Sequence, residues 1–194
     1  MSSTLAAAIA DLASADAKLR DAAARSIYTQ GRTFAERAVE PWWKNAELGA
    51  LLRAPNPLVT VGLAVPPGEF DAIRKANDSP RLADVPPDQD AREFELHFTD
   101  GVALDILTSK EPGGMGAIAR YLGKFGQGIQ QVEFRCENVD RATEILREKL
   151  GIAAVYEATR PGADGTRINF FLVTDTEGGK VLVELYEAAI TSGG

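Results

Sequence analysis

The chain has 194 residues, 45% of them hydrophobic and 25% charged, a makeup that fills a substantial core and fits one globular domain with an appendage. An excess of 28 acidic over 21 basic side chains gives a formal charge of -7 and a pI near 4.9, which opposes the counterion release that drives binding to nucleic acid and anionic lipid, so neither partner is expected. A single cysteine, Cys136, excludes an intrachain disulfide, no Cys/His cluster has zinc-site spacing, and the expected setting is a reducing cytoplasm.

Asp11, Asp16, Lys18, Arg20 and Asp21 interrupt the alanine-rich start, so neither a signal segment nor a membrane span is expected there. Leu5, Ile9, Leu12, Leu19 and Ile27 fall near one helical face and predict a helix over 4–27. A second helix over about 30–40 should stop around Pro41, before a short apolar run of Trp42, Trp43, Leu48, Leu51 and Leu52. Residues 1–54 are thus expected to form a helical hairpin that packs on the main domain or on a second copy of the chain. Trp42 and Trp43 are the residues that would lid a ligand pocket if the hairpin had that role.

From Leu58 to Val65 the apolar, β-branched character predicts a strand, and Pro66-Pro67 opens a short helix through Asn77. Two strands, 93–98 and 102–107, are joined around Thr99-Asp100-Gly101. A three-residue loop with Gly101 left-handed would set residue 97 opposite 103 and 95 opposite 105. Phe94, Leu96, Val102, Leu104 and Ile106 then share one face, and Glu95, His97, Ala103 and Asp105 the other. A linker helix over about 114–124 ends at Gly126 and Gly128. The order then repeats: strand 128–135, helix 138–150 capped by Asn138 with Gly151 beyond it, and strands near 153–157, 166–173 and 180–187. The expected organisation is a helical segment 1–54, a first module 55–110, a linker 111–127 and a second module 128–189.

Gly126-Gln127-Gly128-Ile129-Gln130-Gln131-Val132-Glu133-Phe134 resembles the methylmalonyl-CoA epimerase segment Gly-Glu-Gly-hydrophobic-His-His-hydrophobic-Ala-Phe, with both histidines replaced by glutamine. The Gly-rich stretch 160–170 is similar to that family's hairpin, and Gly179-Lys180-Val181-Leu182-Val183-Glu184-Leu185 to its last strand. Thr60-Val61-Gly62-Leu63-Ala64-Val65 and Leu104-Asp105-Ile106-Leu107 carry a weaker likeness in the first module. The resemblance places the chain in the vicinal oxygen chelate (glyoxalase/bleomycin resistance) superfamily. It implies an α+β fold of two βαβββ modules forming a curled mixed sheet, glyoxalase/dioxygenase-like, with the N-terminal helical hairpin added.

The family's four metal ligands map onto Thr60, Asp105, Gln131 and Glu184, of which only Glu184 keeps the family residue. An all-oxygen set favours magnesium, calcium or manganese over zinc, or no metal at all. His97, the sole histidine, is either a hydrogen-bonded structural residue or a replacement for a lost imidazole. Glu133, two residues beyond Gln131, should face the same side and line the substrate pocket. By resemblance Glu184 and Glu95 would be a catalytic pair that moves a proton next to a carbonyl, in an isomerase or lyase. Thr60 and Gln131 have a plainer reading as partners for buried backbone groups, and 161–165 as a hairpin turn rather than an anion cradle. Two other functions fit the same pattern: a metal-free small-molecule binder resembling the drug-sequestering resistance proteins, and a catalytically silent interaction subunit. A small-molecule ligand and a homodimer are the expected partners.

Overall fold

A computed structural model of the chain describes residues 4–174 and 178–189. Three helices come first: α1 (Leu5–Asp11), α2 (Ala17–Trp43) and α3 (Ala46–Leu51). Strand β1 (Val59–Ala64), helix α4 (Pro67–Ala76), strands β2 (Arg92–His97) and β3 (Ala103–Thr108) and helix α5 (Ala117–Phe125) follow. The remainder is β4 (Gly128–Arg135), α6 (Val139–Leu150), β5 (Arg160–Pro161), β6 (Arg167–Thr174) and β7 (Lys180–Glu187). Among the described residues no helix is long and apolar enough to cross a membrane. The chain divides into two compact units, residues 1–32 with 60–130 and residues 33–59 with 131–194.

The helix expected over 4–27 is two helices. Asp16 starts α2 by accepting a hydrogen bond from the Lys18 amide at 2.8 Å, and the Ser14 hydroxyl accepts one from Asp16 N at 3.1 Å. These side-chain bonds satisfy backbone donors that a continuous helix would have paired internally, so the chain breaks at Leu12–Asp16 despite the favourable periodicity. Pro41 does not stop α2 but lies inside its last turn. The missing N–H there forfeits one bond, and the helix ends two residues later with Lys44 N donating to Pro41 O and Asn45 N to Trp42 O. Asn45 then caps α3 by accepting from Leu48 N at 3.0 Å.

In the first unit the strand order is β2-β3-β1, with β3 antiparallel to β2 and parallel to β1. The hairpin register is the expected one, His97 opposite Ala103 and Glu95 opposite Asp105. Gly101 has φ +73°, and Asp100 joins it at φ +59°, a conformation that aspartate tolerates better than most residues. Val61, Leu63, Leu104, Ile106, Phe94 and Leu96 therefore share one face. It is covered by α4, whose Phe70 ring lies 4.8 Å from that of Phe94, and by α2 at Gly31, where a Cβ would come within 2.7 Å of Val61 Cγ1. On the opposite face Ala64 and Leu107 pack with Ala91 and with Ile118 of α5.

The second unit has the order β4-β7-β6-β5, parallel between β4 and β7 and antiparallel thereafter. Helix α6 has the expected caps: the Asn138 side chain accepts from Arg141 N, and Gly151 closes the helix at φ +66°. The strand expected near 153–157 is absent as a strand. Val155 N donates to Phe170 O at 2.7 Å, but beside it the buried Asn169 amide accepts from Tyr156 N and donates to Tyr156 O. A side chain thus takes the place of ladder bonds, and the pairing strand is the two-residue β5 further along. The 161–165 stretch is a hairpin turn, with Gly162 N donating to Thr166 O and Thr166 N to Ala163 O. Phe98 and Val102, with Val102 and Thr99, repeat that bonding around Asp100-Gly101, so two Asp-Gly turns are built alike. Among the described residues of the first unit no strand matches β5; at the outer edge of β2 Ala83 N donates to Glu93 O at 3.0 Å.

Candidate functional site

Register decides which side chains meet in the second unit. Glu133 on β4 is paired with Glu184 on β7, and Glu184 with Phe170 on β6, so these three point to one side of the sheet together with Gln131. The other side carries Val132, Phe134, Val183, Leu185 and Phe171. Trp42 packs edge-on to Phe171 and Trp43 to Phe134, with ring centroids 5.8 and 5.9 Å apart. Trp42 is thus buried and Trp43 half-buried on the face away from the acidic residues, so neither lids those residues.

On the acidic face one amide joins two acids. Gln131 Nε2 donates to Glu184 Oε2 at 2.7 Å and to Glu133 Oε1 at 3.0 Å. The two hydrogens of that nitrogen are both engaged, and the orientation is settled by its partners. Turned over, the amide oxygen would stand against two carboxylate oxygens at those distances. All three side chains are buried, at 6 to 9% exposure. Burial in a medium of low polarity strengthens such bonds and makes their loss costly.

Strand alternation predicts Glu133 on the side of Gln131, but next to these acids stands a wall that it did not predict. Phe170 stacks edge-on with Tyr156 at 6.0 Å, and the Arg160 guanidinium lies 4.7 Å over the Tyr156 ring. Its signal was available in the period-2 alternation of β6. Whether Phe170 or Phe171 faces the acids, however, depends on the register with β7, which the sequence of β6 alone does not set.

The other candidates belong to the first unit. Thr60 and Asp105 are both 6% exposed, and Asp105 stands opposite Glu95 across the hairpin. The Glu95 and His97 side chains are 55% and 68% exposed and bond to each other, His97 Nε2 to Glu95 Oε2 at 2.8 Å. His97 therefore has a hydrogen-bonded structural place at the surface.

The donor set can be tested against the divalent ion that the resemblance implies. Gln131 turns its nitrogen, not its oxygen, toward Glu133 and Glu184, and a protonated nitrogen is no ligand. Among the described residues no three His, Cys, Asp or Glu side chains gather closely enough to hold a metal ion. As arranged, Gln131, Glu133 and Glu184 do not by themselves offer an ion a ligand set.

No family model matches the sequence, and no curated protein matches it. Solved structures do. Methylmalonyl-CoA epimerase from Mycobacterium tuberculosis is 31% identical, over 67% of this chain and 86% of its own, with a TM-score of 0.54. A variant of the Streptomyces coelicolor methylmalonyl-CoA epimerase, in complex with 2-nitronate-propionyl-CoA, is 26% identical over 69% of this chain and 98% of its own, again at 0.54. A third, a methylmalonyl-CoA epimerase in complex with methylmalonyl-CoA and NH4+, is 24% identical over 71% and 98%, at 0.55, and speaks for the fold. The α+β, glyoxalase-like architecture expected from the sequence is the architecture of these proteins.

Proposed function

We propose, for a chain that belongs to the structural family of the methylmalonyl-CoA epimerases, an isomerase-like role in which Glu184 takes a proton from the carbon beside a carbonyl. The observation that supports this reading is the Gln131 amide bound at once to Glu184 and Glu133. Two buried carboxylates this close repel, which favours uptake of a proton by the pair, while the amide steadies whichever is charged. Such a setting suits Glu184 to accept an α-proton.

In the step itself the carboxylate of Glu184 accepts the α-proton and the electron pair of the broken C–H bond moves into the carbonyl as an enolate. Return of a proton to the opposite face inverts the centre. The wall of Phe170 and Tyr156 supplies apolar surface against which a small acyl group can rest. The structural relatives crystallised with CoA thioesters make acyl thioesters the first substrates to try. Glu95 keeps the part of second carboxylate that the family resemblance gives it.

The test is deuterium uptake from heavy water by methylmalonyl-CoA, propionyl-CoA and a set of 2-oxo acids, followed by mass spectrometry. Exchange should be lost in Glu184→Gln by about 10²- to 10⁴-fold, the usual contribution of a general base. If no compound exchanges while one of them raises the thermal midpoint, the protein is a binder rather than an enzyme.

A further inference from the structure

We infer that the Gln131 side chain occupies the role of a cation in this site, holding Glu133 and Glu184 together so that the protein needs no divalent metal there. The two glutamates are register partners on neighbouring parallel strands, and their side chains leave the sheet on the same side. Strand spacing of about 4.8 Å brings two such carboxylates close, where burial leaves little water to screen them. A donor between them relieves that repulsion where a shared proton does not. A metal ion is one solution; the N–H pair of a primary amide is another.

The amide meets the requirement stereochemically. One nitrogen reaches an oxygen of each acid, at 2.7 and 3.0 Å, and both of its hydrogens are used. Gln131 is itself 6% exposed, so water has little access from its side. For an ion to enter, the amide would have to rotate, lose both bonds and present its oxygen beside two carboxylates that the ion would then have to bridge. The amide thus fills the place that an ion would take between these two acids.

This concerns the same site as the proposed proton transfer and rests on that reading for its relevance to turnover, but it is measured without turnover. Wild-type protein is melted with EDTA and with millimolar manganese, magnesium or zinc, and its metal content after gel filtration is determined by mass spectrometry. No metal near one equivalent and thermal midpoints that agree across the series are expected. Gln131→Glu, which exchanges the donor for a third carboxylate, should melt roughly 5 °C or more below wild type in EDTA and regain much of that difference with manganese. Gln131→His should likewise acquire a manganese- or zinc-dependent rise. Wild-type protein that carries a stoichiometric metal, or that is stabilised by manganese as strongly as Gln131→Glu, would overturn the inference. That result needs no folded variant. An active protein with a bound metal would refute this inference and leave the proton-transfer reading standing, and an inactive metal-free protein would do the reverse.

Discussion

Trp42 meets Phe171 edge to face at a centroid distance of 5.8 Å, and Trp42 is fully buried. The contact seats the end of α2 against β6. Among the described residues no acceptor reaches the indole Nε1 of Trp42, so the ring is held by packing alone. Trp42→Ala should cost about 3–5 kcal/mol by the lost contacts and the cavity left behind. Trp42→Phe keeps an aromatic ring and removes the unsatisfied donor, and should cost less than about 2 kcal/mol. Urea denaturation of both variants checks the order.

Gly31 and Gly123 are both helical glycines, and alanine should act on them with opposite sign. At Gly31 a Cβ meets Val61 Cγ1 at 2.7 Å and Cγ2 at 3.0 Å; at Gly123 nothing lies within 4 Å. Gly31→Ala should lose about 1–3 kcal/mol through overpacking, offset in part by helix propensity. Gly123→Ala should gain up to about 1 kcal/mol. Thermal melts of the pair read out the difference.

Asn169 is fully buried with its amide bonded to both backbone groups of Tyr156. Asn169→Leu leaves a half-buried N–H and C=O without that partner, at a cost of up to about 1–3 kcal/mol for each group left unsatisfied. Hydrogen exchange at the Tyr156 amide should accelerate more than at neighbouring amides of β6.

Burial pushes the Cys136 thiol up from about 9 to about 11, with the nearby Glu187 and Glu137 charges adding to the shift. The folded state therefore holds the proton more tightly than the unfolded one. This contribution to stability is complete below pH 9 and is lost as pH rises from about 9 through about 11. A thiol reagent at pH 8 should label Cys136 slowly in native protein and fast in denaturant, and Cys136→Ala should flatten the alkaline limb of the stability profile.

Glu95 offers a separation of chemistry from folding. Its side chain is 55% exposed and the His97 side chain bonded to it is more exposed still. Glu95→Gln should therefore change stability by no more than about 0.5 kcal/mol. A fall in α-proton exchange in that variant reports on proton transfer rather than on unfolding, and unchanged exchange removes Glu95 from the reaction.

Much of this architecture was legible because local chemistry and global register agreed. The Asp-Gly turn fixes the parity of the β2–β3 hairpin, which is why His97 faces Ala103 and Glu95 faces Asp105 as the sequence predicts. Asn138 and Gly151 announce both ends of α6. The break between α1 and α2 was hidden because alanine and leucine periodicity runs straight through Ser14 and Asp16, whose capping bonds prevail locally. Strand 153–157 failed for a comparable reason: Asn169, more than ten residues away, competes for the backbone of Tyr156. In the site, alternation told which side Gln131, Glu133 and Glu184 share. It did not tell that the amide would turn its nitrogen to both acids, because that choice is made between side chains on two strands.

At the outer edge of β2 Ala83 N donates to Glu93 O, where the second unit has β5. The two repeats are therefore not interchangeable strand for strand. Transplanting residues 80–91 into the place of 153–161 would strip β6 of its neighbour, whereas the reverse graft would add a rung to β2. The unit in which β6 has a strand on both sides is also the one that houses the paired glutamates.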